Sequence, residues 1–234
     1  MKKQQNWMID EITCAGRENL DVVHVERYDK KEDAKADREV NLLQKMGFNS
    51  QSEIVEIGAG TGQFALIAAT VCARVVAVDV SPVMLKQLRL KVEESGLSNI
   101  EAVQAGFLTY EHSGKQADFV YSRLALHHLP DFWKVIALKR IHRMMRTGGI
   151  FRLWDVVYDF NPDEIDKRIE LFCNTLGEDI KKEWVREEME EHIRDEHSTF
   201  RWLLEAMIKQ CGFEIEDVNY SPDGFFGKYI LRAI

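Results

Sequence analysis

The chain has 234 residues, 45% apolar and 30% charged, with 14 Gly and 4 Pro; this suits one globular domain with additions and excludes disordered or collagen-like classes. Its longest apolar run, residues 64–73, is far short of the roughly 18–20 residues that cross a membrane, and Lys2 and Lys3 lead into Gln and Asn rather than the apolar segment of a secretory leader. Thirty-one basic and 39 acidic residues leave a net charge of −8, which argues against nucleic acid as a partner.

In chain order, residues 1–50 hold a charged helix over about 31–46, ending at Gly47. From 53 to 155 short β-type runs alternate with amphipathic helical stretches, the pattern of a parallel α/β sheet. The predicted strands are 54–57, 75–78, 100–103, 118–122 and 150–155. A Gly-rich turn and a helix through 64–72 follow the first. Ser81-Pro82 opens a helix to about 94, with Ser as cap and Pro at the first helical position. Residues 130–145 are helical, with Phe132, Val135, Ile136, Leu138 and Ile141 spaced for one buried face. Residues 156–198 are helical and acidic: 178–196 carry nine Asp/Glu against four Lys/Arg, read as a solvated face. A helix over 200–211 and two strands, 213–220 and 225–232, close the chain as a hairpin. No repeat or low-complexity tract occurs. Cys14, Cys72, Cys173 and Cys211 include no C-x-x-C pair, so reduced, packed thiols and a cytoplasmic location are expected.

The segment Val55-Glu56-Ile57-Gly58-Ala59-Gly60-Thr61-Gly62 lies between a buried strand and a helix, where glycines let backbone approach a ligand. Gln63 stands where the dinucleotide fingerprint G-x-G-x-x-G needs its third glycine, and the G-K-[ST] of a phosphate-cradling loop is absent. What remains is an acid two residues before G-x-G-x-G, with a second acid, Asp79, ending the next strand. Together with 78–85 (Val-Asp-Val-Ser-Pro-Val-Met-Leu) and Leu126-His127-His128-Leu129-Pro130, this resembles the class I S-adenosylmethionine-dependent methyltransferases, over about 53–155 and more loosely to 232.

The resemblance implies a Rossmann-like seven-strand, mostly parallel sheet in the order 3-2-1-4-5-7-6. It forms a single domain capped by residues 1–50 and 156–198. It implies S-adenosylmethionine as cofactor. The expected binding set is Glu56, Gly58, Ala59, Gly60, Thr61, Gly62, Asp79, Val80, Met84, Gly106, Phe107 and Ser122. Asp79 would accept both ribose hydroxyls, because a carboxylate suits a vicinal diol, and Met84 or Val80 would face adenine. Family members commonly place an acid after strand three against the adenine amine. Here the residues are Ala105-Gly106-Phe107, which leaves adenine to a backbone amide and the Phe107 ring.

Asp155, at the carboxyl end of a strand where ligands bind in open α/β sheets, is the first candidate base, followed by His128 and Tyr28. Tyr28 resembles the N-terminal aromatic that many family members fold over the cofactor. His127 would fix the loop after strand four; His192, Glu196 and His197 read as exposed or as part of the cap. No metal is expected, because adjacent His127 and His128 on a helix do not face one another, and metal-dependent catechol methylation needs a second acid. The sequence Ser122-Arg123-Leu124-Ala125 lacks the [DN]-P-P-[YF] of amino-group methylation on DNA. The expected function is methyl transfer to a small-molecule acceptor, by a monomer or homodimer; the alternatives are methylation of RNA or protein, and a cofactor-binding module without catalysis.

Overall fold

The computed structural model describes residues 6–31, 33–177 and 186–234. The Lys2–Lys3 argument and the 178–185 part of the acidic helix lie outside them. The N-terminal part holds α1 (Glu11–Cys14), α2 (Val22–Lys31) and α3 (Ala36–Lys45). The helix expected over 31–46 is α3, with a later start at Ala36, and α2 precedes it. The break is held where the Ala34 N–H donates to Gln63 Oε1 at 2.9 Å and Lys35 takes a left-handed φ of 52°.

The core runs β1 (Glu53–Ile57), α4 (Gln63–Ala69), β2 (Arg74–Asp79), α5 (Pro82–Ser95), β3 (Ile100–Gln104), β4 (Ala117–Arg123), α6 (Asp131–Met144) and β5 (Met145–Tyr158). After it come α7 (Ile165–Gly177), α8 (Arg186–Asp195), β6 (Thr199–Phe200), α9 (Arg201–Gln210), β7 (Phe213–Tyr220) and β8 (Phe226–Ala233). The sheet order is β3-β2-β1-β4-β5-β8-β7. The first five strands are parallel, and β8 is antiparallel to both β5 and β7. This is the expected order with one addition, β6, which pairs with Val157 and Tyr158. Two residues show no periodicity. Their pairing exists because β5 continues three residues beyond its expected end and offers a free edge.

β1, β2 and β4 read as near-continuous apolar runs because helices cover both of their faces. On one side Phe64 and Ala65 of α4, Leu85 and Leu88 of α5, and Leu43 of α3 pack on the sheet. On the other lie Leu138 and Ile141 of α6 with Met207 and Ile208 of α9. α3 thus belongs to the core rather than to the expected cap. Phe132, expected in the buried face of α6, is 64% exposed; that face runs through Lys134, Ala137, Leu138, Ile141 and Met144. α5 starts as its sequence dictates, with the Met84 N–H donating to Ser81 Oγ at 3.1 Å ahead of Pro82.

α7 and α8 join through Phe172, Cys173 and Met189, and Phe172 stacks on Phe225 with centroids 4.0 Å apart. α1 and α2 lie across the carboxyl edge of the sheet, tied down by Glu11 to Leu108 and by Asp29 to Thr61 and Lys91.

Candidate active site

Between β1 and α4 the chain turns through a glycine loop suspended from β2. The Gly58 and Ala59 N–H groups donate to Val78 O at 2.9 and 3.0 Å. Gly58 has φ +79°, and a Cβ there would stand 2.4 Å from the Ala125 Cβ, so no other residue fits. Gly60 (φ +52°) faces Met84 and Tyr28, and its N–H donates to Asp79 Oδ2 at 2.7 Å. The Ser81 N–H donates to Asp79 Oδ1 at 2.8 Å. Burial nevertheless raises the Asp79 carboxyl above its ordinary value, against the pull of these amides. Glu56, beneath the loop, is raised well above the usual range, first by burial and then by the Asp79 charge. Its Oε2 has no hydrogen-bond partner among the described residues. Two raised carboxylates under one loop favour a ligand bearing positive charge or several donors.

The pocket above the loop is bounded by Asp79, Val80 and Met84, by Ala105–Phe107 after β3, and by Arg123–Ala125, His128 and Leu129 after β4. Glu11, Cys14 and Ala15 of α1, with Asn19 and Tyr28, roof it. A smaller pocket adjoins it at Glu56, Ala59, Thr61 and Tyr121, sharing Gly60 and Arg123. Arg123 sits 4.7 Å over the Trp154 ring. Glu11 is only 6% exposed. It accepts the Leu108 N–H on Oε1 and the Thr109 hydroxyl on Oε2, each at 3.0 Å, while burial raises its pKa. A Cβ on Gly106 would stand 2.3 Å from Glu11 Oε1; glycine is what lets this carboxylate enter.

On the far side, the turn Leu126–His128 carries two histidines in different surroundings. His128 lines the pocket; burial and the neighbouring His127 charge push its pKa down to about 4, so its imidazole is neutral. His127 lies behind it. Its Nδ1 meets Asp155 Oδ1 and its peptide N–H donates to Asp155 Oδ2 at 3.2 Å. Its Nε2 is 2.8 Å from Glu196 Oε2, which His192 Nδ1 also approaches. Burial alone would lower His127, but Asp155 and Glu196 outweigh it and push the pKa up to about 10. Burial would raise Glu196, but the His127 and His192 rings hold it well below the usual carboxylate range.

Residues 54–149 match the family described as a methyltransferase domain. An uncharacterised methyltransferase of Oceanobacillus iheyensis is 24% identical over 178 residues, 70% of this chain and 81% of that protein. The chain carries a methyltransferase domain and is similar to the class I methyltransferases. S-adenosylmethionine is the cofactor of that class. A methyltransferase of Strobilurus tenacellus is 30% identical over 129 residues, spanning 54% of this chain and 44% of that one. The magnesium protoporphyrin IX methyltransferase of Synechocystis, solved with bound S-adenosylmethionine, shares the fold with a TM-score of 0.65 at 13% identity, covering 98% of this chain and all of that one.

The methyltransferase brings most of its expected site residues to one place. Gly58, Gly60, Asp79, Val80, Met84 and Gly106 line the main pocket, as do Phe107, Tyr28 and His128. Glu56, Ala59 and Thr61 line the adjoining one. Three differ. Gly62 faces α5, where a Cβ would meet Leu88 Cγ at 2.8 Å, so it serves helix packing. Ser122 is fully buried in β4 and borders neither pocket. Asp155 is 2% exposed, and its carboxylate is taken up by the His127 ring, the His127 N–H and the Val156 N–H; it braces the turn rather than reaching the acceptor. His192 and Glu196 leave the expected solvated face and join His127. Glu11 and Arg123 are the charged pocket residues that sequence reasoning missed. For Glu11 the signal was indirect: an acid missing after β3, with a glycine in its place.

Proposed function

We propose that this methyltransferase transfers the methyl group of S-adenosylmethionine to a small-molecule acceptor by in-line displacement. The roof carries the proposal. α1 and α2 cover the pocket through Glu11, Cys14 and Tyr28, a shape that suits a small acceptor better than a polymer strand, and a net charge of −8 opposes RNA.

Asp79 would hold the ribose diol, since each carboxylate oxygen keeps a lone pair beyond the Gly60 and Ser81 amides. Val80, Met84 and Phe107 would bracket adenine. Glu11 would receive the adenine amine, replacing the acid that relatives carry after the third strand. The amino-acid tail would pass Gly58 and Gly60 toward Glu56 and Arg123. The cofactor supplies an electrophilic methyl on a sulfonium whose leaving group is a neutral thioether. The chain therefore works by alignment and exclusion of water. Neutral His128 would orient the acceptor or take its proton, with Tyr28 opposite, while Asp155 acts only through the turn that carries His128.

The test is to incubate the purified chain with S-adenosylmethionine and, separately, the low-molecular-weight, RNA and protein fractions of a cell extract, measuring adenosylhomocysteine. Product with the first fraction alone is expected. Product only with RNA or protein would overturn the acceptor class, and none with any fraction would favour a binding module without turnover.

A further inference from the structure

His127, His192 and Glu196 each point a ligand atom at one small region, and the three atoms lie within 4.8 Å of one another. His127 and His192 come from parts of the chain 65 positions apart, one on the turn after β4 and one on α8. His192 and Glu196 are four residues apart, which puts them on one face of a helical turn. We propose that these three side chains bind a divalent transition-metal ion, zinc in the first place, behind the methyl-acceptor pocket.

Four observations carry this. The first is alignment. Nε2 of His127 is 2.8 Å from Glu196 Oε2 and Nδ1 of His192 is also close to it, yet that oxygen has no aligned hydrogen-bond donor among the described residues. Ring nitrogens from two separate elements thus converge on one buried carboxylate oxygen. The second is spacing. With bonds of about 2.0–2.1 Å, tetrahedral zinc ligands stand about 3.3 Å apart. Nε2 of His127 stands 2.8 Å from Glu196 Oε2, and all three ligand atoms lie within 4.8 Å of one another, a range that includes this value. The third is the surroundings. A ligating histidine commonly gives its other ring nitrogen to a carboxylate, which fixes the ring and its tautomer. His127 gives Nδ1 to Asp155, and Asp155 is itself held by the His127 and Val156 N–H groups.

The last is charge. Asp155 and Glu196 place two carboxylates in this nest, and a divalent cation that displaces the His127 proton to solvent balances them. Two imidazoles and one carboxylate suit zinc or iron(II) rather than magnesium or calcium, which prefer all-oxygen sets. Considering only His127 with His128 had led to the expectation of no metal; the partner of His127 is supplied by α8 instead. Such an ion would clasp α8 to the turn that carries His128 into the pocket. The inference rests on this geometry and stands apart from the choice of acceptor.

Isothermal titration of the chelator-treated chain with zinc alone, and cobalt absorption spectra, test it. One zinc per chain is expected, with cobalt giving the visible bands of a low-symmetry site. His192→Ala and Glu196→Gln, each checked for native circular dichroism, should bind at least roughly 100-fold more weakly, while His112→Ala, distant at the β3–β4 connection, should bind as the parent does. Zinc should raise the melting temperature of the parent and not of the two ligand variants. No stoichiometric binding by the parent, or binding that survives both ligand substitutions, would overturn the site and leave an ion-pair network.

Discussion

Burial and the charge of Asp79 oppose ionisation of Glu56, and they outweigh the Ala65 backbone amide and the Arg123 charge that favour it. Its folded pKa therefore lies above the unfolded value of about 4.3. Stability from this group is full below that value and is lost as pH rises through the folded one, because the unfolded chain ionises first. Glu56→Gln does not titrate. Without cofactor, its melting temperature relative to the parent should rise as the pH is raised above the unfolded value; a difference independent of pH would mean that Glu56 is solvated or paired. At Gly60, φ of +52° and an opening toward Met84 and Tyr28 make Gly60→Val a block to the cofactor, read by calorimetry on a folded variant. Glu11→Ala should weaken cofactor binding by about 1–3 kcal/mol, the usual cost of a lost hydrogen bond to charge. Unchanged affinity would remove Glu11 from the adenine site. Asp79 and the glycine loop were legible because they end two consecutive strands, β2 and β1, 19 positions apart. Glu11 was not, since 97 positions separate it from its partner Leu108.

α1 and α2 form a roof rather than a packed layer. Their buried apolar side chains are Ala15 and Val25, whereas Val22 and Val23 are exposed. Segments with few buried apolar contacts open most readily, so amide exchange around Tyr28 should slow when adenosylhomocysteine is added. Equal exchange with and without it would show that α2 is no lid. α3 differs. Glu39 grips Arg152 of β5 through two hydrogen bonds, 2.7 and 3.1 Å, and both are buried. Glu39→Ala would leave the guanidinium unpaired in the core and should cost about 3–5 kcal/mol in denaturant unfolding; a loss near zero would mean that water replaces the pair. The parallel strands were legible as apolar runs bounded by turns. The start of α3 was not, because it depends on Gln63 receiving the Ala34 N–H across the fold. Phe132 and β6 were missed for related reasons: helix rotation and edge pairing are set by tertiary contacts, not by local pattern.

At the scale of the molecule, the alternation from 53 to 155 and the closing hairpin determine a doubly wound sheet, and its carboxyl edge is where the glycine loop, Asp79 and the roof converge. Fold alone does not select a reaction. What narrows it here is the combination of two buried carboxylates beneath a loop without lysine, a carboxylate returned by α1 to the gap after β3, and a neutral His128 on the opposite wall. The central claim, that this pocket holds a nucleoside cofactor through Asp79, is tested most directly by calorimetry with adenosylhomocysteine. The parent should bind one equivalent, and Asp79→Ala, with unchanged circular dichroism, should bind more weakly by roughly 2–4 kcal/mol. Equal affinity in the parent and the variant would contradict it.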